Sequence, residues 1–195
     1  MSMQFTKTYR IWHWTLALST VGLLITVFLR KTFLSWRDNA AIITEKLAEN
    51  DIEVSAEIAK ATAKAIRAPM WEWHYIFGAF LALAVAIRIY MFLSKQAKIP
   101  LVVFIEAPKE EKPQRLVYML LCASLVFMTL SGWFYYFKAD LGFVKEQVHW
   151  VKELHEFLMW PIVVLVAMHI AGVLRHELVT KEGIVSKMIH GDTIK

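Results

Sequence analysis

The stretch FLMWPIVVLVAMHIAGVL, residues 157–174, contains a single ionisable side chain, that of His169. A helix needs about 20 apolar residues to cross about 30 Å of hydrocarbon, and a helix satisfies its own backbone hydrogen bonds there. The stretch therefore predicts a transmembrane helix. His155 stands two residues before it and fourteen residues before His169, so this helix brings two histidines with it.

Three further apolar runs have a similar length, and 57% of the 195 residues are hydrophobic, more than is usual in a soluble domain. The predicted spans are residues 11–29, 71–92, 116–137 and 157–174. Between the first two spans lies an insertion of residues 30–70. Its segment 40–66 is rich in Ala, Glu and Lys and has no Gly or Pro, which favours one or two helices with a break at Asn50–Asp51.

The sequence thus predicts an all-α fold: an integral membrane four-helix bundle with a helical extramembrane insertion between helices 1 and 2, forming one domain of residues 1–195. Four spans place both termini on the same side of the membrane. That side carries eleven basic and six acidic side chains, whereas the other carries ten basic and, with Glu72 at the start of the second span included, eleven acidic ones. The positive-inside rule then predicts a multi-pass membrane protein with cytoplasmic termini.

Histidines within apolar runs mark functional paths more often than accidental burial, although one alone can be a satisfied helix–helix contact. Span direction sets their depth. His13 begins the first span on the terminus side, and His169 comes late in the fourth span, on the same side. His74 and His155 begin the second and fourth spans on the opposite side. We call His13 and His169 the inner pair, and His74 and His155 the outer pair.

The fourteen-residue spacing places His155 and His169 about 40° apart around one helix and about 21 Å apart along it. Span four can therefore ligate two stacked haems, each completed by one histidine from another span. Two imidazoles on one iron suit electron transfer. Zinc is disfavoured, because it normally takes three or four protein ligands in one cluster. The single cysteine, Cys122, excludes an internal disulfide and C-x-x-C-H haem attachment.

Other residues could complete haem sites. Gly78, four residues after His74, could let a flat macrocycle approach the backbone, and Gly22 and Gly172 could do the same, although helix packing explains each glycine equally well. Arg88, fourteen residues after His74, reaches the depth of the inner pair and could bind a haem propionate. Snorkelling of Arg88 to the interface is the alternative.

Several motifs resemble the bacterial and hydrogenase-type di-haem cytochromes b. This family includes the membrane cytochrome b subunits of nickel-iron hydrogenase and formate dehydrogenase, and bacterial superoxide-oxidase-type relatives. The similar segments are RIWHW at 10–14, HYIFG at 74–78, LHE at 154–156, MHIAGVLRH at 168–176 and KEGIVSKMIHG at 181–191. The resemblance implies haem b ligation by the same inner and outer pairs, and a location in a bacterial inner membrane. The long insertion departs from compact family members.

Three functions follow as hypotheses. The leading one is transmembrane electron transfer through two bis-histidine b haems between a periplasmic redox partner protein and membrane quinone. The chain would then be the membrane subunit of an oxidoreductase complex. A stand-alone superoxide:quinone oxidoreductase is the second, and a haem-free membrane assembly or binding protein is the third. Nothing in the composition points to nucleic acid.

Overall fold

The computed structural model describes residues 5–180 and 183–191, and all regular secondary structure in these ranges is helical. The all-α prediction is therefore confirmed. The helices of the described residues are α1 (Lys7–Lys31), α2 (Trp36–Ala48), α3 (Ala56–Leu93), α4 (Pro100–Ile105), α5 (Lys112–Tyr136), α6 (His149–Thr180) and α7 (Ile184–His190). Lys181 and Lys195, which contribute to the charge asymmetry, lie outside the described residues.

Four helices of the described chain are long and apolar enough to cross a membrane, namely α1, α3, α5 and the part His149–Val179 of α6. Their surfaces match that role. The side chains of Leu18, Leu130 and Phe157 are 63%, 64% and 65% exposed, whereas those of Thr26 and Ser131 are only 4% and 6% exposed. Large apolar groups outside and small hydroxyl groups inside are typical of helices that pack against one another in lipid. The chain is a multi-pass membrane protein.

Helix α3 joins the insertion to the second predicted span without a break. Its 38 residues would be about 57 Å long, which is well beyond the hydrocarbon thickness of about 30 Å. Pro69 lies inside it and withholds one backbone donor, yet the helix continues on both sides. The boundary predicted at residue 70 between insertion and span therefore falls within one helix, and where lipid begins along it stays a prediction.

The chain divides into two compact units. One is residues Ala17–Phe80, and the other combines Met1–Leu16 with Leu81–Lys195. We call the first the insertion unit, because it contains the insertion of residues 30–70, and the second the main unit.

In the insertion unit, α2 folds back on α3. The turn between them contains Asp51, whose φ of 58° lies in the left-handed region, so the predicted break at Asn50–Asp51 coincides with the end of α2. Trp36 at the start of α2 lies under the ammonium group of Lys60, 5.2 Å from the ring centroid. Ala59 on α3 is 1% exposed, because small residues let two helices approach closely.

In the main unit, α5 packs along α6, α4 packs on α5, and α7 packs on α6. Gly183 enters α7 with a φ of 67°, a conformation that glycine adopts without a steric penalty. The backbone N–H of Val185 donates to a carboxylate oxygen of Glu177 at 3.3 Å, which ties the first turn of α7 to the end of α6.

Candidate functional site

The structure brings the inner pair together. His13 on α1 and His169 on α6 belong to the main unit, and their ring centroids are 6.3 Å apart with an angle of 51° between the planes. A metal–imidazole bond is about 2 Å long, so the centroids of two imidazoles that held one metal ion between them would be about 6 Å apart. The observed separation fits two imidazoles that share one iron.

Aromatic side chains surround His13. Tyr9 is stacked on its ring at 6.5 Å, and Trp14 meets it edge-on at 5.8 Å. Trp12 turns away, and its indole N–H donates to the backbone oxygen of Ala84 at 2.8 Å. Ring contacts on two sides limit how far the imidazole of His13 can rotate.

The last described helix is fastened to the first. The Arg10 guanidinium donates to the backbone oxygen of Ile189 at 3.0 Å, and the Trp14 indole N–H donates to that of Met188 at 3.1 Å. Carbonyl groups in the last turn of a helix have no partner within the helix. The helix dipole also stabilises a cation at this end. We call this contact between Arg10, Trp14 and the end of α7 the terminal clasp.

His74 of the outer pair lies on α3 in the insertion unit. Its Nδ1 is 2.8 Å from the hydroxyl oxygen of Thr26 on α1. Trp71, one turn earlier on α3, meets the imidazole edge-on at 5.6 Å, and the Arg30 guanidinium lies 5.7 Å from the centroid of Trp71. The ring of His74 is thus held by a polar contact at Nδ1 and by an aromatic neighbour.

His155 of the outer pair lies on α6 in the main unit. Its Nδ1 is 2.9 Å from the hydroxyl oxygen of Ser131 on α5. Gly132 is the next residue, and a Cβ atom added there would lie 3.0 Å from Cε1 of His155. The absence of a side chain at Gly132 is what allows the imidazole to lie this close to α5. His74 and His155 lie in different units. That they form a pair is therefore inferred only from the depths that the sequence predicts for them.

Several side chains of the main unit hold Arg88 in place. Its guanidinium donates to the phenol oxygen of Tyr118 at 2.5 Å and lies over the rings of Trp12 and Phe92, at 5.0 and 4.8 Å. Its Nε is buried and has no hydrogen-bond partner among the described residues. A cation held between rings with a donor to spare fits a haem propionate, which stays a prediction.

The three glycines singled out from the sequence differ. Gly78 and Gly172 have no atom within 4 Å of where a Cβ would stand, so space for a flat group exists beside both. At Gly22, a Cβ would lie 2.7 Å from a ring carbon of Phe77. Helix packing therefore explains Gly22.

Sequence reasoning missed four residues next to the predicted site, namely Thr26, Ser131, Gly132 and Tyr118. Each stands inside an apolar run. The hydroxyl groups of Thr26, Ser131 and Tyr118 need a partner there, which was the one indication that the sequence offered, and Gly132 offered none. Deciding which partner they have requires the rotation of each helix, which the sequence does not supply.

Comparison with known proteins gives one family. The family model described as prokaryotic cytochrome b561 matches residues 4–191 of the chain. No curated protein and no solved structure gives a significant match.

Proposed function

Because the chain belongs to the prokaryotic cytochrome b561 family, whose members bind haem b and transfer electrons across membranes, we propose that it carries two b haems that link a periplasmic redox partner to membrane quinone. The observation that carries the proposal is the 6.3 Å separation of the rings of His13 and His169. A bound haem would supply a one-electron couple at its iron. The protein supplies ligands, orientation and exclusion of water.

His13 and His169 would hold the inner haem, and His74 and His155 the outer haem. The helix geometry of α6 supports two levels, since fourteen residues separate its histidines by about 21 Å. Arg88 would bind a propionate with the donor capacity that Tyr118 leaves free. Gly78 would leave room for the macrocycle beside α3, since nothing lies within 4 Å of its missing side chain.

We place the termini in the cytoplasm of a bacterium with the inner haem near that side. The support is the excess of basic residues beside the termini. A quinone dissolved in the bilayer can approach the aromatic residues around His13 from the lipid. The partner would meet the opposite side, where the insertion of residues 30–70 would lie.

The number and ligands of the haems are tested by the visible spectrum and the haem-to-protein ratio of the detergent-purified protein. We expect two b haems in the wild type and one in each of the variants His13→Ala, His169→Ala, His74→Ala and His155→Ala. The two variants of the inner pair should have the same spectrum, and so should the two variants of the outer pair. His149→Ala is the control, since His149 lies at the start of α6 and contacts Glu153 at 3.4 Å. One haem in the wild type, or crossed losses, would contradict the assignment, and a colourless protein would leave a binding or assembly role.

The side at which quinone reacts is tested with the same variants and a short-chain quinol analogue. In His74→Ala the remaining inner haem should be reduced at the wild-type rate. In His13→Ala the remaining outer haem should stay oxidised, since its route to the quinol is interrupted. Fast reduction in His13→Ala would place quinone on the opposite side. Reduction of quinone by superoxide without a partner protein would instead identify a stand-alone oxidoreductase.

A further inference from the structure

Each histidine of the outer pair contacts a buried hydroxyl group on a neighbouring helix. Thr26 Oγ1 lies 2.8 Å from Nδ1 of His74, and Ser131 Oγ lies 2.9 Å from Nδ1 of His155. The two contacts lie on different helices and in different units, yet each joins a hydroxyl oxygen to the Nδ1 of a histidine. Thr26 and Ser131 are among the few buried polar residues, with exposed fractions of 4% and 6%.

The direction of both hydrogen bonds follows from the backbone. The Thr26 hydroxyl donates to the oxygen of Leu23 at 2.7 Å, and the Ser131 hydroxyl donates to the oxygen of Phe127 at 2.8 Å. A hydroxyl group has one proton to donate and two lone pairs to accept with. When that proton lies on the helix carbonyl, the oxygen accepts from the imidazole. Nδ1 then carries the proton, and Nε2 keeps its lone pair.

That tautomer is the one a metal ligand needs. A ligating histidine normally donates its other ring N–H to an acceptor, and this bond fixes the ring orientation and raises the basicity of the ligating nitrogen. The hydroxyls here are held in place by their own bonds to the helix backbone. Trp71 further confines the imidazole of His74, and the missing side chain at Gly132 lets the imidazole of His155 lie close to α5.

We propose that Thr26 and Ser131 are positioning residues of the outer haem, which fix the Nδ1–H tautomers of His74 and His155 and lower the reduction potential of that haem. The inference rests on the proposed function and extends it to two residues that contact no haem themselves. The more basic ligand nitrogen favours ferric over ferrous iron, so the potential falls. Loss of either hydroxyl should therefore raise the outer potential and leave the inner one in place.

The variants Thr26→Val and Ser131→Ala remove the hydroxyl groups with little change in shape. Thr26→Ser and Ser131→Thr retain them and should behave like the wild type. Thr15→Val and Thr129→Val are matched controls. The hydroxyl of Thr15 donates to the backbone oxygen of Ile11 at 2.9 Å, and that of Thr129 donates to the backbone oxygen of Leu125 at 2.8 Å. These two variants therefore measure the effect of losing a hydroxyl-to-backbone bond alone.

The measurement is a redox titration of the purified, haem-loaded protein, followed by the visible spectrum and fitted with two one-electron components. We expect Thr26→Val and Ser131→Ala to raise the component that is absent from His74→Ala, each by up to about 59 mV, which corresponds to a tenfold change in the ratio of ferric to ferrous affinity. The ferric low-spin electron paramagnetic resonance of the same haem should shift, because it reports the orientation of the axial rings. The inner component should not move.

The outcomes separate this inference from the proposed function. A wild-type protein without two haems would overturn both. Two haems with the expected histidine losses, but unchanged potential and resonance in both hydroxyl variants, would overturn this inference alone. Selective loss of the outer haem, restored in Thr26→Ser and Ser131→Thr, would support it. Equal loss or equal shifts of both haems would contradict a role confined to the outer pair.

Discussion

Gly22→Ala should crowd the ring of Phe77, and the size of the effect can be worked from the structure. A Cβ at residue 22 would stand 2.7 to 2.8 Å from three carbons of that ring. Apolar carbon atoms rest at about 3.5 Å or more, so the ring or the helix must move by about 0.8 Å. Overpacking of this kind costs about 1–3 kcal/mol, while the better helix propensity of alanine returns up to about 1 kcal/mol.

The net expectation is a loss of about 1 kcal/mol of unfolding free energy. In the background of Phe77→Ala the clash is gone, and the same substitution should stabilise the protein by up to about 1 kcal/mol. The sign therefore reverses, with a coupling free energy of about 2 kcal/mol between the two positions, within the range known for residues in contact.

The assay is unfolding in mixed micelles with increasing denaturing detergent, monitored by tryptophan fluorescence for the wild type, both single variants and the double variant. Gly172→Ala in the haem-free protein is the matched control, because nothing lies within 4 Å of a Cβ there and no macrocycle can then fill that space. In that form it should be neutral or stabilising in both backgrounds. A stabilising Gly22→Ala in the presence of Phe77 would refute the packing described for this position.

Three further predictions concern the site. Gly132→Ala places a Cβ 3.0 Å from the ring of His155 and should lower the occupancy of the outer haem, and a full haem-to-protein ratio with an unchanged spectrum would contradict this. Tyr118→Phe removes the 2.5 Å bond to Arg88 and should cost about 1.5–3 kcal/mol in the same unfolding assay, little of which should remain in an Arg88→Gln background. Arg10→Gln weakens the terminal clasp, and amide hydrogen exchange in α7 should become about tenfold faster; unchanged exchange would show that the clasp does not hold α7.

The helices follow from the sequence because they depend on periodicity and length, and the depths of the histidines in the membrane stay a prediction from the same reasoning. Apolar runs of about 20 residues define spans, and fourteen residues along a helix fix the separation of His155 and His169. The inner pair shows that this one-dimensional reasoning extends to contact, since His13 and His169 lie 156 positions apart and their rings meet at 6.3 Å.

The hydrogen-bond partners of the imidazoles could not be predicted from the sequence. The hydroxyl groups of Thr26 and Ser131 reach a histidine only at one rotation of their helices, and a change of one position turns a side chain by about 100°. Gly22 and Gly78 illustrate the same limit. Both were candidates for a close approach, yet a phenyl ring fills the space at one and nothing lies near the other.

The terminal clasp has a consequence for the order in which the protein is made. Arg10 and Trp14 are separated from Ile189 and Met188 by 179 and 174 residues, so their bonding partners are synthesised long after α1. The first helix must enter the membrane before α7 exists, and these bonds can form only once α7 has left the ribosome. Synthesis of α7 is thereby coupled to the turn of α1 that carries His13, and a nascent chain truncated before α7 would lack these two bonds.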